Sequence, residues 1–355
     1  MRKNIRALIV DDSVVFRSFM RRCLNDIEGV EVVGTASDGK MALRQIEQLK
    51  PDTVTLDMNM PQMTGIEVLK ALQDKAPDTR VIVVSCETET DAKRTIEALE
   101  SGACDFIIKP KASSKDAQGE LTKSLNRRLF SAQSVGRVVS GKRLVRQTQA
   151  ASFRKPASFC PDMIAIGSST GGPAALSMLF SALPEDIPVP ITITQHMPKL
   201  FVQSLANRLD KESKLKVMVA EDGMLLLPGH VYIAPGEIHM EVVRKGVGLA
   251  AKLVDGPKMH HCKPAVDRTF YALAKLAPVK RTLAIVLTGM GADGADGAKK
   301  IGESGGYVIA QDEASSAVWG MPGSTVKAGA ANDVLALDQI AGALTQIVCE
   351  RKGGK

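Results

Sequence analysis

Short β-rich runs alternate with amphipathic stretches, and that alternation restricts the chain to one fold class. Strand-like runs fall at 5–10, 31–36, 53–57, 81–85 and 105–109, with helix-like stretches near 13–27, 38–49, 64–75 and 89–101. Strands separated by helical crossovers build βαβ units, and these assemble into a parallel sheet with helices on both faces. The pattern stops after Pro110 and resumes at Met163. Apolar runs then occur at 163–167, 189–195, 215–220 and 283–288, with weaker ones at 307–310 and 333–337. Three runs between 231 and 253, joined by Pro235-Gly236 and Lys245-Gly246, predict an antiparallel β-ribbon inserted in a second, doubly wound and mainly parallel α/β domain. The expected domains are 1–112 and 159–352, joined by a connector over 113–158.

The connector holds most of the charge. The chain has a formal net charge of +7, yet residues 111–155 alone carry eleven Lys and Arg against two acids, so the remainder is slightly acidic. Leu121, Leu125 and Leu129 permit one helix there. Residues 131–158 hold too few apolar side chains for a core and read as a flexible linker. A solvated linker is the plain reading of the basic run; a docking strip for an acidic partner is the sharper one. The six cysteines contain no C-x-x-C pair, which suits reduced, buried thiols rather than disulfides or zinc. No apolar run nears the ~18 residues of a membrane span. The start leads directly into a strand without a secretory pattern. A cytoplasmic chain with no membrane insertion is expected.

In an open parallel sheet the carboxyl ends of the strands face one crevice. Asp11 and Asp12 follow the first strand, Asp57 ends the third, Ser85 the fourth and Lys109 the fifth. Carboxylates gathered at one rim repel each other and favour an oxygen-ligated Mg²⁺. Asp12 and Asp57 are direct ligand candidates, with Asp11 assisting and the Asn59 carbonyl completing the set. A screened Asp57 can attack a phosphoryl donor. Lys109 would neutralise the acylphosphate, and Ser85 would donate to a phosphoryl oxygen. Taken singly, each has a structural alternative: Asp12 or Ser13 could simply cap the first helix, and Ser85 could be a turn residue.

The second unit has its own rim. Gly167-Ser168-Ser169-Thr170-Gly171-Gly172 fits G-x-S-x-G, a sharp strand-to-helix turn that exposes Ser169. The same glycines superficially suit a phosphate loop. His196 ends the next strand, and Asp293 lies in the Gly289–Gly294 turn after the 283–288 strand. Ser169 as nucleophile, His196 as base and Asp293 as its orienting carboxylate form a triad. Backbone N–H groups of Met290 and Thr170 are the oxyanion candidates. Ser168 and Asp296 are the rivals to Ser169 and Asp293. His230 and His239 flank the ribbon and lie off the rim. His260-His261-Cys262 does not read as a metal cluster, because adjacent side chains rarely converge on one ion.

Two resemblances follow from these motifs. Asp11-Asp12-Ser13, Asp57 through Gly65, Ser85 and Lys109-Pro110 resemble a response-regulator receiver domain over about residues 4–112. That implies a five-stranded flavodoxin-like fold, Mg²⁺-dependent phosphorylation of Asp57 by a histidine kinase, and a switch-type aromatic at Phe106. Residues 164–172, 193–198, 227–236, 287–294, 311–316 and 320–322 resemble the catalytic domain of chemotaxis protein-glutamate methylesterases over roughly 160–348. The resemblance implies hydrolysis of glutamyl methyl esters, and deamidation of glutamines, on chemoreceptors. It carries the triad to Ser169, His196 and Asp293 with no cofactor at that site, and it implies that the unphosphorylated receiver obstructs the esterase. Ser168, Ala292 and the long basic linker depart from the pattern. The alternative is a DNA-binding response regulator that uses the basic segment, although no helix-turn-helix pattern is present; otherwise no nucleic-acid partner is expected.

Overall fold

The computed structural model describes residues 4–76, 78–110, 116–131, 159–276 and 281–349. The chain divides into two compact units, Met1–Leu144 and Val145–Lys355. Most of the basic connector, including every Lys and Arg from 137 to 155, lies outside the described residues.

In the first unit β1 (Ile5–Val10), β2 (Val30–Ala36), β3 (Thr53–Asp57), β4 (Arg80–Ser85) and β5 (Asp105–Ile108) alternate with α1 (Val14–Asn25), α2 (Gly39–Leu49), α3 (Gly65–Lys75) and α4 (Glu89–Glu100), and α5 (Ala117–Ser131) follows. The sheet order is β2-β1-β3-β4-β5, and every pairing is parallel. Ser13 caps α1 by accepting from the Phe16 N–H at 3.2 Å, so Asp12 is not needed as the cap. On α5, Leu121, Leu125 and Leu129 recur at i, i+4 and i+8, and pack with Met20, Cys23 and Leu24 of α1 and Ile5, Ile9 and Ile107 of the sheet. Each buried leucine contributes about 1.5–3 kcal/mol. The first core therefore runs past residue 112, through a helix expected on the connector.

The second unit is built on β6 (Met163–Ser168), β7 (Ile191–Gln195), β8 (Lys216–Val219), β10 (His230–Ile233), β13 (Thr282–Val286), β14 (Tyr307–Gln311) and β15 (Asp333–Leu335). Their order is β15-β14-β13-β6-β7-β10-β8, again all parallel. β6 is buried at every residue, as a central strand covered on both faces must be. The antiparallel sheet comprises β11 (His239–Lys245), β12 (Gly248–Val254) and β9 (Leu225–Leu226). The run at 231–234 is not part of it. Val231 to Ile233 are buried and pair in parallel with β7 and β8, and Gly236 lies against the backbone of Pro198 and Lys199 rather than turning a hairpin. Among the described residues no helix is long and apolar enough to cross a membrane.

Both sheets reverse their strand order beside the first strand: between β1 and β3 in one, and between β6 and β13 in the other. Such switch points open a crevice at the carboxyl ends of the strands. The two sets of polar strand tips lie there.

Candidate functional site

At the first switch point Asp11 and Asp57 are buried, 2% and 4% exposed, while Asp12 stays exposed at the mouth. Ligand oxygens of the three carboxylates lie within 4.8 Å of one another. Lys109 Nζ donates to Asp11 at 2.8 Å and to Asp57 at 3.1 Å. Burial, reinforced by the charge of Asp11, pushes Asp57 above the usual carboxylate range against the pull of Lys109. Burial alone would lower the Lys109 ammonium, but the two carboxylates outweigh it and hold it above its ordinary value. One ammonium against three carboxylates leaves the crevice electrostatically incomplete, and the all-oxygen donor set fits a hard divalent cation.

Ser85 is buried at the end of β4. Its hydroxyl accepts from Thr95 Oγ1 at 2.8 Å and donates to the Cys86 carbonyl at 3.3 Å. The Asn59 N–H reaches Asp57 Oδ1 at 3.4 Å, while its side chain is held by Asp91 at 2.7 Å and by Arg94. Thus α4 supplies Asp91, Arg94 and Thr95, none of which was expected from the sequence. The available signal was Asp91 and Thr95 recurring at i, i+4 among the buried Ala92 and Ile96.

At the second switch point β6 and β7 pair with Ser168 opposite Gln195. The next residues on each strand are Ser169 and His196, which therefore leave adjacent strand ends. The Ser168 hydroxyl is fully buried and donates to Gln195 Oε1 at 2.6 Å. The Gln195 amide donates to the Ser169 carbonyl at 2.9 Å and to the His196 carbonyl at 3.3 Å. This buried amide stitches the two tips together and occupies Ser168, leaving Ser169 as the half-exposed hydroxyl. Gly171 follows at φ 76, and a Cβ there would meet Ala317 at 2.4 Å, so the turn requires glycine. The helix α6 (Gly172–Ala182) starts immediately after.

His196 Nε2 lies 2.7 Å from Asp293 Oδ2, and Nδ1 lies 3.5 Å from Cys262 Sγ. No hydrogen bond joins the Ser169 hydroxyl to the imidazole among the described residues. Asp293 is 1% exposed and fully satisfied. It accepts from the Val266 N–H at 2.7 Å and the Asp267 N–H at 2.9 Å, the first amides of α8 (Val266–Ala274). Burial would raise Asp293, but His196 and these amides hold it below the usual range. Burial would lower His196, but Asp293 and Cys262 outweigh it and hold the imidazolium pKa up to about 9.

Asp296 is exposed on the first turn of α9 (Ala295–Glu303). His230 and His239 bond the carbonyls of Pro228 and Pro257, and His239 Nδ1 also accepts from the Ala265 N–H at 3.2 Å, just before α8. The Met290 N–H has no partner among the described residues, and the Thr170 carbonyl accepts from Thr288 Oγ1 at 2.9 Å. Sequence reasoning missed the role of Gln195, the approach of Cys262 to His196 and the pairing of His260 with Asp267, whose Nε2 and Oδ2 are 2.8 Å apart. Burial and the neighbouring Asp293 charge push Asp267 up to about 6.

These folds define a protein with a receiver unit and a hydrolase-type α/β unit. A response regulator receiver domain matches residues 7–118, and the CheB methylesterase family matches residues 164–344. A Nocardioides sp. protein named protein-glutamate methylesterase/protein-glutamine glutaminase is 42% identical over 94% of this chain and 92% of its own length. A Thermotoga maritima protein of the same name is 41% identical over 97% and 98%. The crystal structure of the T. maritima CheB methylesterase catalytic domain is similar with a TM-score of 0.52 and 43% identity, covering 53% of this chain and 99% of that one. The chain belongs to the CheB methylesterase family, with the receiver in front. The two family matches are to a receiver and a methylesterase, and they give the DNA-binding alternative no support.

Proposed function

We propose that this protein-glutamate methylesterase and glutaminase acts on chemoreceptors through Ser169, His196 and Asp293, under control of phosphorylation at Asp57. Ser169 Oγ attacks the γ-carbonyl carbon of a methylated glutamyl side chain, and His196 takes the hydroxyl proton. Asp293 holds the Nε2–H, so the accepting lone pair is on Nδ1. Collapse of the tetrahedral intermediate breaks the C–O bond, and His196 returns the proton to the leaving methoxide as methanol. Water, activated by the same imidazole, releases the glutamate. With a glutamine side chain the leaving group is ammonia. The N–H groups of Met290 and Thr170 face the developing oxyanion.

In the receiver Asp57 attacks the phosphorus of a phosphohistidine on the partner kinase, and the P–N bond breaks. Asp11, Asp12, Asp57 and the Asn59 carbonyl would hold Mg²⁺, which supplies charge neutralisation at the phosphoryl group. Lys109 supports the acylphosphate, and Ser85 must exchange Thr95 for a phosphoryl oxygen. The hydrolase residues need no cofactor for this chemistry.

The reading rests on one observation: the buried His196–Asp293 pair at 2.7 Å on the strand end beside Ser169. Treatment of the full chain with a serine-directed fluorophosphonate, followed by peptide mass spectrometry, tests it. A single adduct on Ser169 is expected; an adduct on Ser168 instead, or none, refutes the assignment.

A further inference from the structure

We propose that Cys262 and His196 together form a binding site for a soft divalent cation, zinc, and that filling it switches the esterase off. The loss of activity rests on reading His196 as the general base; the existence of the metal site does not.

Cys262 is far from His196 in sequence, and a strained turn brings it there. Met259 and Cys262 exchange backbone hydrogen bonds, 3.1 Å and 2.7 Å, around His260 and His261. Both central residues are left-handed, at φ 49 and φ 62. Two-residue turns of this geometry favour Asn-Gly, because side chains with a Cβ resist positive φ. Two histidines held this way mark a backbone over-determined by its surroundings. The His260 ring is fastened to Asp267 at 2.8 Å, which locks the turn against α8. The half-buried Cys262 thiol is thereby aimed at His196.

The resulting geometry is that of two neighbouring zinc ligands. Zinc binds sulfur at about 2.3 Å and imidazole nitrogen at about 2.0 Å, so a tetrahedral angle sets the two donors about 3.5 Å apart. Cys262 Sγ and His196 Nδ1 are 3.5 Å apart. The other ring nitrogen is already held by a carboxylate, Asp293 Oδ2 at 2.7 Å. Metal-binding histidines are commonly oriented that way, with the free lone pair directed at the ion. Ligand atoms of His196, Cys262 and Asp293 all lie within 4.8 Å, but Asp293 stands on the far side of the ring and serves as the orienting partner. On binding, the thiol proton leaves to solvent, sulfur and Nδ1 each donate a lone pair, and water fills the remaining positions. The Nδ1 lone pair that would accept the Ser169 proton is then occupied.

The test uses the full chain with Mg²⁺ in excess, so that hard-ion sites are filled. Cobalt(II) is the spectroscopic probe and zinc the competitor. Wild type should show a thiolate-to-cobalt charge-transfer absorption that zinc abolishes. Cys262→Ser and Cys262→Ala should lack it, and Cys160→Ser should keep it. Zinc inhibition of methyl ester hydrolysis, scaled to each variant's own metal-free rate, should need at least tenfold more zinc in both Cys262 variants. Absorption that survives in the Cys262 variants, or is lost in Cys160→Ser, overturns the site. Cobalt bound at Cys262 with undiminished hydrolysis overturns the inhibitory half and tells against His196 as base. Failure of Ser169 to take a fluorophosphonate would leave the absorption untouched, which separates the two readings.

Discussion

The receiver crevice and the esterase crevice occupy the same place in two parallel sheets, yet their charges are arranged in opposite ways. In the receiver, three carboxylates cluster about one ammonium that bonds only two of them, and the strand-end hydroxyl is still bonded to α4. In the esterase, Asp293 is satisfied on both oxygens by α8 and His196 before any substrate arrives, and its neighbour Asp267 is held by His260 and the Gly297 N–H. The first is incomplete until an ion and a phosphoryl group enter. In the second the His196–Asp293 pair is preorganised, while the Ser169 hydroxyl has still to reach the imidazole. A switch point thus supplies a location, and the surrounding residues decide whether it awaits completion or is already set.

The sharpest break of this comparison is Ser169→Ala. It should lower methyl ester hydrolysis by about 10⁴-fold or more and leave phosphorylation of Asp57 untouched, as measured by methanol release and by acylphosphate formation on the same sample. Asp293→Asn should cost nearly as much, about 10⁴-fold in kcat, because the wrong tautomer is then favoured.

The pH profile sharpens the same point. His196 is held up to about 9, so its basic form is scarce at neutral pH. The value of kcat/KM should climb roughly fiftyfold from pH 7 to 9. In Asp293→Asn the inflection should fall toward the ordinary value of about 6.5. The sign for stability is the reverse. The raised pKa stabilises the fold fully below about 6.5 and ceases to do so as pH rises through about 9.

Asp57→Asn probes the incomplete crevice. Stimulation of hydrolysis by a phosphoryl donor, on the order of tenfold for a typical coupling, should vanish while the unstimulated rate persists. A stimulation retained by the variant would show control through another residue. Gln195→Ala is the mildest break. It strands the Ser168 hydroxyl and two carbonyl acceptors, and should remove about 1–3 kcal/mol of stability in denaturant unfolding.

The two sites differed in how far they could be read from the chain. Asp11, Asp57, Ser169 and His196 were legible because each follows a buried run, and parallel topology carries such tips to one rim. The G-x-S-x-G spacing favoured Ser169 over Ser168, and the buried amide of Gln195 engages the Ser168 hydroxyl. Asp267 and Thr95 escaped notice, and Cys262 was weighed only beside His260 and His261, because their partners lie on other elements. The run at 231–234 misled for a local reason, since Pro235-Gly236 looks like a hairpin turn while burial on both faces assigns β10 to the main sheet. Leu121, Leu125 and Leu129 had the right spacing, but a basic composition obscured their place in the first core.

The grip of α8 on Asp293 makes a local clock available. The Val266 and Asp267 amides donate hydrogen bonds to the Asp293 carboxylate rather than to a neighbouring turn. Their deuterium uptake should therefore track the opening of the reaction centre itself, and any agent that loosens the centre should quicken exchange at these two amides before the rest of the helix responds.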